Sequence, residues 1–169
     1  PSLPALTRRA LPPEPDALVR ALIADLPRVG YVRVWSGGEQ AFLFLREGRV
    51  WSAGELVDDR PQALPIDSFR SRLGNLEGAE LCMTDLPLFL CCAVVFRKAP
   101  AAHLPIDLVD SETVLARIKE TGKDAVIVIQ RGKKRSVALC REGEPVALYA
   151  APDETFPMNG SVADRVVEY

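Results

Sequence analysis

The same three residues close two turns in this chain: Arg46-Glu47-Gly48 within LFLREGRVWSA, and Arg141-Glu142-Gly143 within ALCREGEPVAL, 95 residues further on. Glycine after a charged tip suits a three-residue hairpin connection, because glycine takes the left-handed backbone without a Cβ penalty. The same offset places Gly37 on Gly132. Residues 31–55 and 125–150 therefore each read as an antiparallel meander of three strands, with turns at matching places. A helix precedes each meander. Residues 16–26 carry an acceptor side chain at Asp16 and stack Leu18, Leu22 and Leu26 on one face. Residues 110–124 offer Asp110 or Ser111 as cap, Val114, Leu115 and Ile118 as the inward stripe, and Gly122 as terminator. The expected fold is α+β: two similar units, each a helix plus an antiparallel β-meander, packed as one compact body. On this reading the repeated Arg-Glu-Gly is architecture, with glycine set by the turn and the charges by solvent.

The expected boundaries follow from composition. Residues 1–15 hold Pro1, Pro4, Pro12, Pro13 and Pro15 and read as a linker or arm. Residues 16–99 form the first unit and 100–169 the second, which reads as truncated at its C-terminal end. Within the first unit, Asp58 and Asp59 mark a turn, LPIDSFRSRL a short helix and AELCMTD a strand. The apolar run Leu86–Phe96 is read as strand, with a buried helix starting near Pro87 as the alternative, since periodicity does not separate the two in a fully apolar run. The last residues, NGSVADRVVEY, read as the start of a further helix. LPID occurs at 64–67 and 104–107, a reuse of proline followed by a carboxylate where helices begin. The chain starts Pro-Ser-Leu-Pro rather than with Met and reads as a segment of a longer protein.

Charge and cysteine usage narrow the function classes. Twenty-one basic against 23 acidic residues give a formal net charge of −2, which argues against nucleic acid as partner. The basic cluster Arg131, Lys133, Lys134 and Arg135 has no interleaved aromatics for base stacking and reads as a solvated turn. Leu86–Phe96 is too short for a membrane span and contains a proline. Cys82, Cys91, Cys92 and Cys140 lie in apolar stretches, as buried thiols of a reduced, cytoplasmic protein do. With no CxxC pair and a single histidine, His103, no zinc site is expected, nor another metal or cofactor. Cys91-Cys92 is the most tempting nucleophile, but its flanks are hydrocarbon, and a thiol reading would need His103 or a cation beside it. Phosphate-loop, dinucleotide and nucleophile-elbow strings are absent, and the chain reads as no enzyme.

The place where the two units differ most is the strand YVRVW. Alternation puts Tyr31, Arg33 and Trp35 on one face, where the second unit has Val126, Val128 and Gln130. Aromatic and arginine side chains compose protein interfaces, so these three are the candidate protein-interaction residues. The competing reading covers this face with a helix and leaves Arg33 at its edge.

The stretch GYVRVWSGGEQAFLFLREGRVWSAG, with DALVRALIADL before it, resembles the PATAN-type domain of bacterial regulatory proteins over residues 16–54. That family has a short helix, a strand opened by glycine, and a hairpin of aromatic-x-Asp-Gly-x-aliphatic followed by His-Ala. Leu45, Glu47, Gly48, Val50 and Ser52-Ala53 stand at those positions here. The resemblance implies a non-catalytic module joined to other domains in signalling or motility proteins, with no catalytic residue carried over. The expected function is a regulatory or scaffolding module of a larger bacterial protein, acting through a protein partner or a neighbouring domain. The alternative is a small-molecule sensor holding a ligand between the two units.

Overall fold

The computed structural model describes residues 3–102, 104–105, 109–152 and 160–168. His103 and Asp107, with the end of the second LPID, lie outside the described residues. The chain is α+β, with two antiparallel sheets and five helices among the described residues. It divides into two compact units, Ala5–Lys98 and a second that joins Pro1–Pro4 to Ala99–Tyr169. None of the described helices is long and apolar enough to cross a membrane.

In the Ala5–Lys98 unit the strands are β1 (Thr7–Leu11), β2 (Val29–Ser36), β3 (Glu39–Arg46), β4 (Arg49–Val57), β5 (Arg60–Leu64) and β6 (Gly78–Met83). They form one antiparallel sheet in the order β1-β6-β2-β3-β4-β5. Three two-residue turns join β2 to β5. Both central residues have positive φ in each: Gly37 and Gly38, Glu47 (52°) and Gly48 (71°), Asp58 and Asp59. This is the type I′ geometry whose twist matches that of the strands, so the connection at Arg-Glu-Gly is one residue shorter than the sequence suggested. The meander also runs one strand further, because the two aspartates make a turn without glycine.

The segment expected as a linker holds a strand. Its prolines flank Thr7–Leu11 without interrupting it, and β1 pairs along β6 from Thr7↔Met83 to Leu11↔Ala79. Helix α1 (Pro15–Ala24) starts with proline at a first-turn position after Glu14, and no side chain caps it; Asp16 lies inside the first turn rather than at the cap. Leu18 is fully buried, whereas Leu26 lies beyond the helix and is exposed.

Helix α1 and the short α2 (Ile66–Ser71) cover one face of this sheet. There Leu18 and Phe69 join Val32, Val34, Ala41, Leu45, Ala53, Ala79 and Leu81 in a single core. The opposite face is covered by α3 (Leu86–Arg97), the run read as strand from sequence. Helix wins there for two physical reasons. The Asp85 carboxylate accepts from the Leu88 N–H at 2.8 Å, with Pro87 in the first turn. The run is also too long for an ordinary strand without a turn residue inside it. Phe89 and Phe96 of α3 pack on Phe44, at ring-centroid distances of 6.0 and 5.7 Å, and Phe96 reaches Phe42 at 5.0 Å. Gly54 permits this approach: a Cβ there would lie 2.5 Å from the Phe96 ring.

The second unit carries α4 (Ser111–Thr121), β7 (Ala125–Arg131), β8 (Lys134–Arg141), β9 (Glu144–Tyr149) and α5 (Val162–Glu168), with the strands in the order β7-β8-β9. Asp110 caps α4 by accepting from the Glu112 N–H and the Thr113 hydroxyl, and Gly122 ends it at φ 60°. Central β8 is buried on both faces, at Arg135, Ser136, Val137, Ala138 and Cys140. Its turn to β9 again places Glu142 (50°) and Gly143 (85°) at positive φ. Helix α4 presses on that turn so closely that a Cβ on Gly143 would lie 2.8 Å from the Lys119 Cα.

Candidate functional site

The face of the larger sheet under α3 is only half covered. Strand alternation sends Tyr31, Arg33 and Trp35 of β2 to this face together, and the neighbouring strands decide what each meets. Tyr31 stands opposite Phe44 on β3 and Cys82 on β6, packs between Phe42 and Phe44, and has no exposed surface. It is a core residue beneath α3. Tyr31 is therefore removed from the contact set named from sequence. Its hydroxyl hydrogen-bonds with the Cys82 thiol, and burial, with further contributions from Cys82 and Cys92, holds its pKa well above the ordinary value.

Arg33 and Trp35 lie where a polar patch replaces the aromatic core. Arg33 donates from Nε to Gln40 Oε1 at 2.9 Å and from Nη1 to Glu80 Oε1 at 3.0 Å. Arg8 on β1 donates to the same Glu80 oxygen at 2.7 Å. The Arg33 guanidinium also stacks on the Trp35 ring, 4.8 Å from its centroid. Trp35 lies on Gly78, where a Cβ would come within 2.2 Å of the indole. Three strands, β1, β6 and β3, thus supply one residue each, and β2 two, to a network in which every charged group is held by a partner. The side chains of Glu80 and Arg33 are 15% and 18% exposed, so the patch is half-buried and its outer rim reaches solvent.

Arg8, Gln40 and Glu80 escaped the sequence reading. Arg8 falls in the segment expected as a linker or arm. Glu80 did carry a signal: a carboxylate flanked by apolar residues in a sheet strand needs a cationic partner, and Arg33 is that partner across the β2–β6 register.

The thiols sit in hydrocarbon. Cys82, Cys91, Cys92 and Cys140 are all reduced and buried. Burial, then the nearby Glu80 carboxylate, pushes the Cys82 thiol up to about 12. Burial likewise holds Cys92 well above its ordinary value, and raises Cys140. Among the described residues no group of three or more His, Cys, Asp or Glu is placed to hold a metal ion.

The chain matches no family model, no curated protein and no solved structure. A shallow cleft of about 150 Å³ opens on the α2-covered side of the same strands, lined among others by Val34, Ala41, Glu55 and Arg72. Arg72 bridges Glu39 at 2.9 Å and Glu55 at 2.6 Å across it. Its volume falls below the roughly 300–1,000 Å³ of sites that engulf a small molecule. A second cation–π pair, Arg97 over Trp51 at 5.0 Å, stands at the C-terminal end of α3.

Proposed function

We propose that this chain is a non-enzymatic regulatory or scaffolding module of a larger bacterial protein, cytoplasmic, and that it acts through protein–protein or interdomain contacts. The observation that carries the reading is the half-buried patch in which Arg33 is stacked on Trp35 and clamped by Gln40 and Glu80. Aromatic and arginine side chains already held in one geometry lose little entropy on binding, which is what makes such residues energetic centres of interfaces. Two guanidinium groups share one carboxylate there, so the patch is positive and favours an acidic surface on the partner. The raised thiol pKa values argue on the same side, since a catalytic thiol needs the opposite shift. The resemblance of residues 16–54 to PATAN-type domains points to the same class of module.

The two units are further proposed to be copies. At the offset of 95 residues β3 falls on β8 residue for residue. Both Arg-Glu-Gly turns take the same backbone, and beside each the register shifts at the equivalent place, between Phe44 and Leu45 and between Leu139 and Cys140. The carbonyl of Arg28 accepts from the Glu47 N–H in one unit, and its equivalent, the Lys123 carbonyl, accepts in the other from Gly143, one residue beyond the equivalent of Glu47. Copies fold alike for structural reasons, and the patch occurs in one copy only.

The test is capture of partners by the chain and by Arg33→Ala and Trp35→Ala. Arg8 still holds Glu80 in Arg33→Ala, so no buried carboxylate is orphaned and the fold survives. Both variants are expected to lose the captured partner; unchanged capture by both rejects this face as the contact.

A further inference from the structure

Each sheet has two edge strands, and three of the four edges carry devices that block further pairing. Strand β1 presents Arg8 and Arg9; β5 contains Arg60 and Pro61; β9 contains Glu144, Pro145 and the bulge at Val146. Charge, proline and bulges are how edges are kept from joining other strands. Strand β7 has none of these between Ala125 and Gln130. Its run Ala-Val-Ile-Val-Ile is the best strand-forming sequence in the chain, yet no residue of β7 is buried, and Val128 is 39% exposed.

Among the described residues the backbone of that edge is open as well. Among the described residues β7 pairs only with β8. Arg131 and Lys134 flank the two-residue turn and so exchange hydrogen bonds, and by alternation Ile129, Ile127 and Ala125 bond inward to β8. The N–H and C=O groups of Val126, Val128 and Gln130 therefore point away from the sheet. In the larger unit the equivalent strand, β2, has its equivalent edge filled by β6, which runs antiparallel to it with Glu80 opposite Arg33. Val128 stands at the position of Arg33; this step rests on the reading of the two units as copies.

We propose that the β7 edge pairs with β7 of a second copy of this chain, antiparallel across a twofold axis at Val128. The strand is complementary to itself in that register. Ile127 meets Ile129, Val126 meets Gln130 and Ala125 meets Arg131, so like charges are nowhere opposed within the strand and apolar side chains meet on both faces. A twofold pairing is antiparallel by symmetry, as the β2–β6 pairing is, and closes without leaving a new edge at the contact. It makes two three-stranded sheets into one of six strands, the size of the sheet in the larger unit.

Sedimentation velocity on the 169-residue chain over a range of concentrations tests this. The wild type is expected to pass from monomer to dimer as concentration rises, with slower amide exchange at Val126, Val128 and Gln130. Val128→Pro removes an outward N–H and leaves the ladder to β8 intact. Val128→Lys keeps the backbone and sets two like charges together at the axis. Both variants are expected to remain monomeric where the wild type is mainly dimer, with unchanged far-ultraviolet circular dichroism and unchanged capture through Arg33 and Trp35. A wild type monomeric throughout, a dimer that survives both substitutions, or protection of the edge only by a strand of a different protein overturns the proposal. None of these outcomes bears on the Arg33–Trp35 face, whose own variants test it separately.

Discussion

Glu80 is the residue on which the polar patch turns. One carboxylate oxygen accepts from Arg8, Arg33 and, at 3.6 Å, the Cys82 thiol. Around it the small residue Gly78 sets the position of Trp35. Gly78→Ala forces the indole off its seat, because the added carbon would overlap the ring. The expected cost is about 1 kcal/mol, the low end for overpacking, since the ring can swing outward. Trp35 emission should shift to the red in a Trp51→Phe background, together with loss of partner capture. Cys82 makes a second prediction. Its folded-state pKa is raised, from an ordinary value near 9 to about 12, so its contribution to stability is complete below pH 9 and is lost as pH rises toward 12. Urea-unfolding midpoints should fall across that window and fall less steeply in Cys82→Ala. Tyr31, also raised, adds to the fall at the upper end. At this scale sequence revealed that Tyr31, Arg33 and Trp35 share a face, because period-two alternation is a local property. It concealed that Tyr31 is core, since that depends on α3 lying across it.

At the scale of elements, turn chemistry was the legible part. Glycine marked the turns at 37–38, 47–48, 132–133 and 142–143, and the strands on either side follow from them. The turn at Asp58-Asp59 joined two strands without any glycine, so β5 stayed hidden although the turn itself was read. Strand β1 stayed hidden because proline density around it outweighs five unremarkable residues. The run Leu86–Phe96 carries no periodic signal, because the less buried Leu86, Leu90, Val94 and Val95 are as apolar as the buried Leu88, Phe89, Cys91, Cys92, Ala93 and Phe96. What decides it is the cap. Asp85→Ala is expected to cost about 1 kcal/mol in urea unfolding, with Asp85→Ser close to wild type, since a side-chain oxygen at this position satisfies an otherwise unpaired N–H. A destabilisation equal in both variants would mean that Asp85 contributes something other than the cap.

At the scale of the molecule, composition and pattern sufficed for an α+β chain with two antiparallel sheets, and fell short on how many strands each sheet holds. The larger sheet takes β1 from one side of α1 and β6 from beyond α2, pairings of long sequence separation that no local pattern reports. Those two strands are also what completes the candidate site: without β1 and β6 there is neither Arg8 nor Glu80, and Arg33 would have no carboxylate partner in the patch. The Ala5–Lys98 unit has helices on both faces of its sheet and its own core, so it should fold by itself and carry the whole contact surface. The most direct measurement is a competition in which residues 5–98 are titrated against the full chain for the partner that the full chain captures. The fragment is expected to displace the full chain, and the same fragment with Trp35→Ala is expected not to. Equal displacement by both fragments, or displacement by residues 99–169 instead, would contradict this.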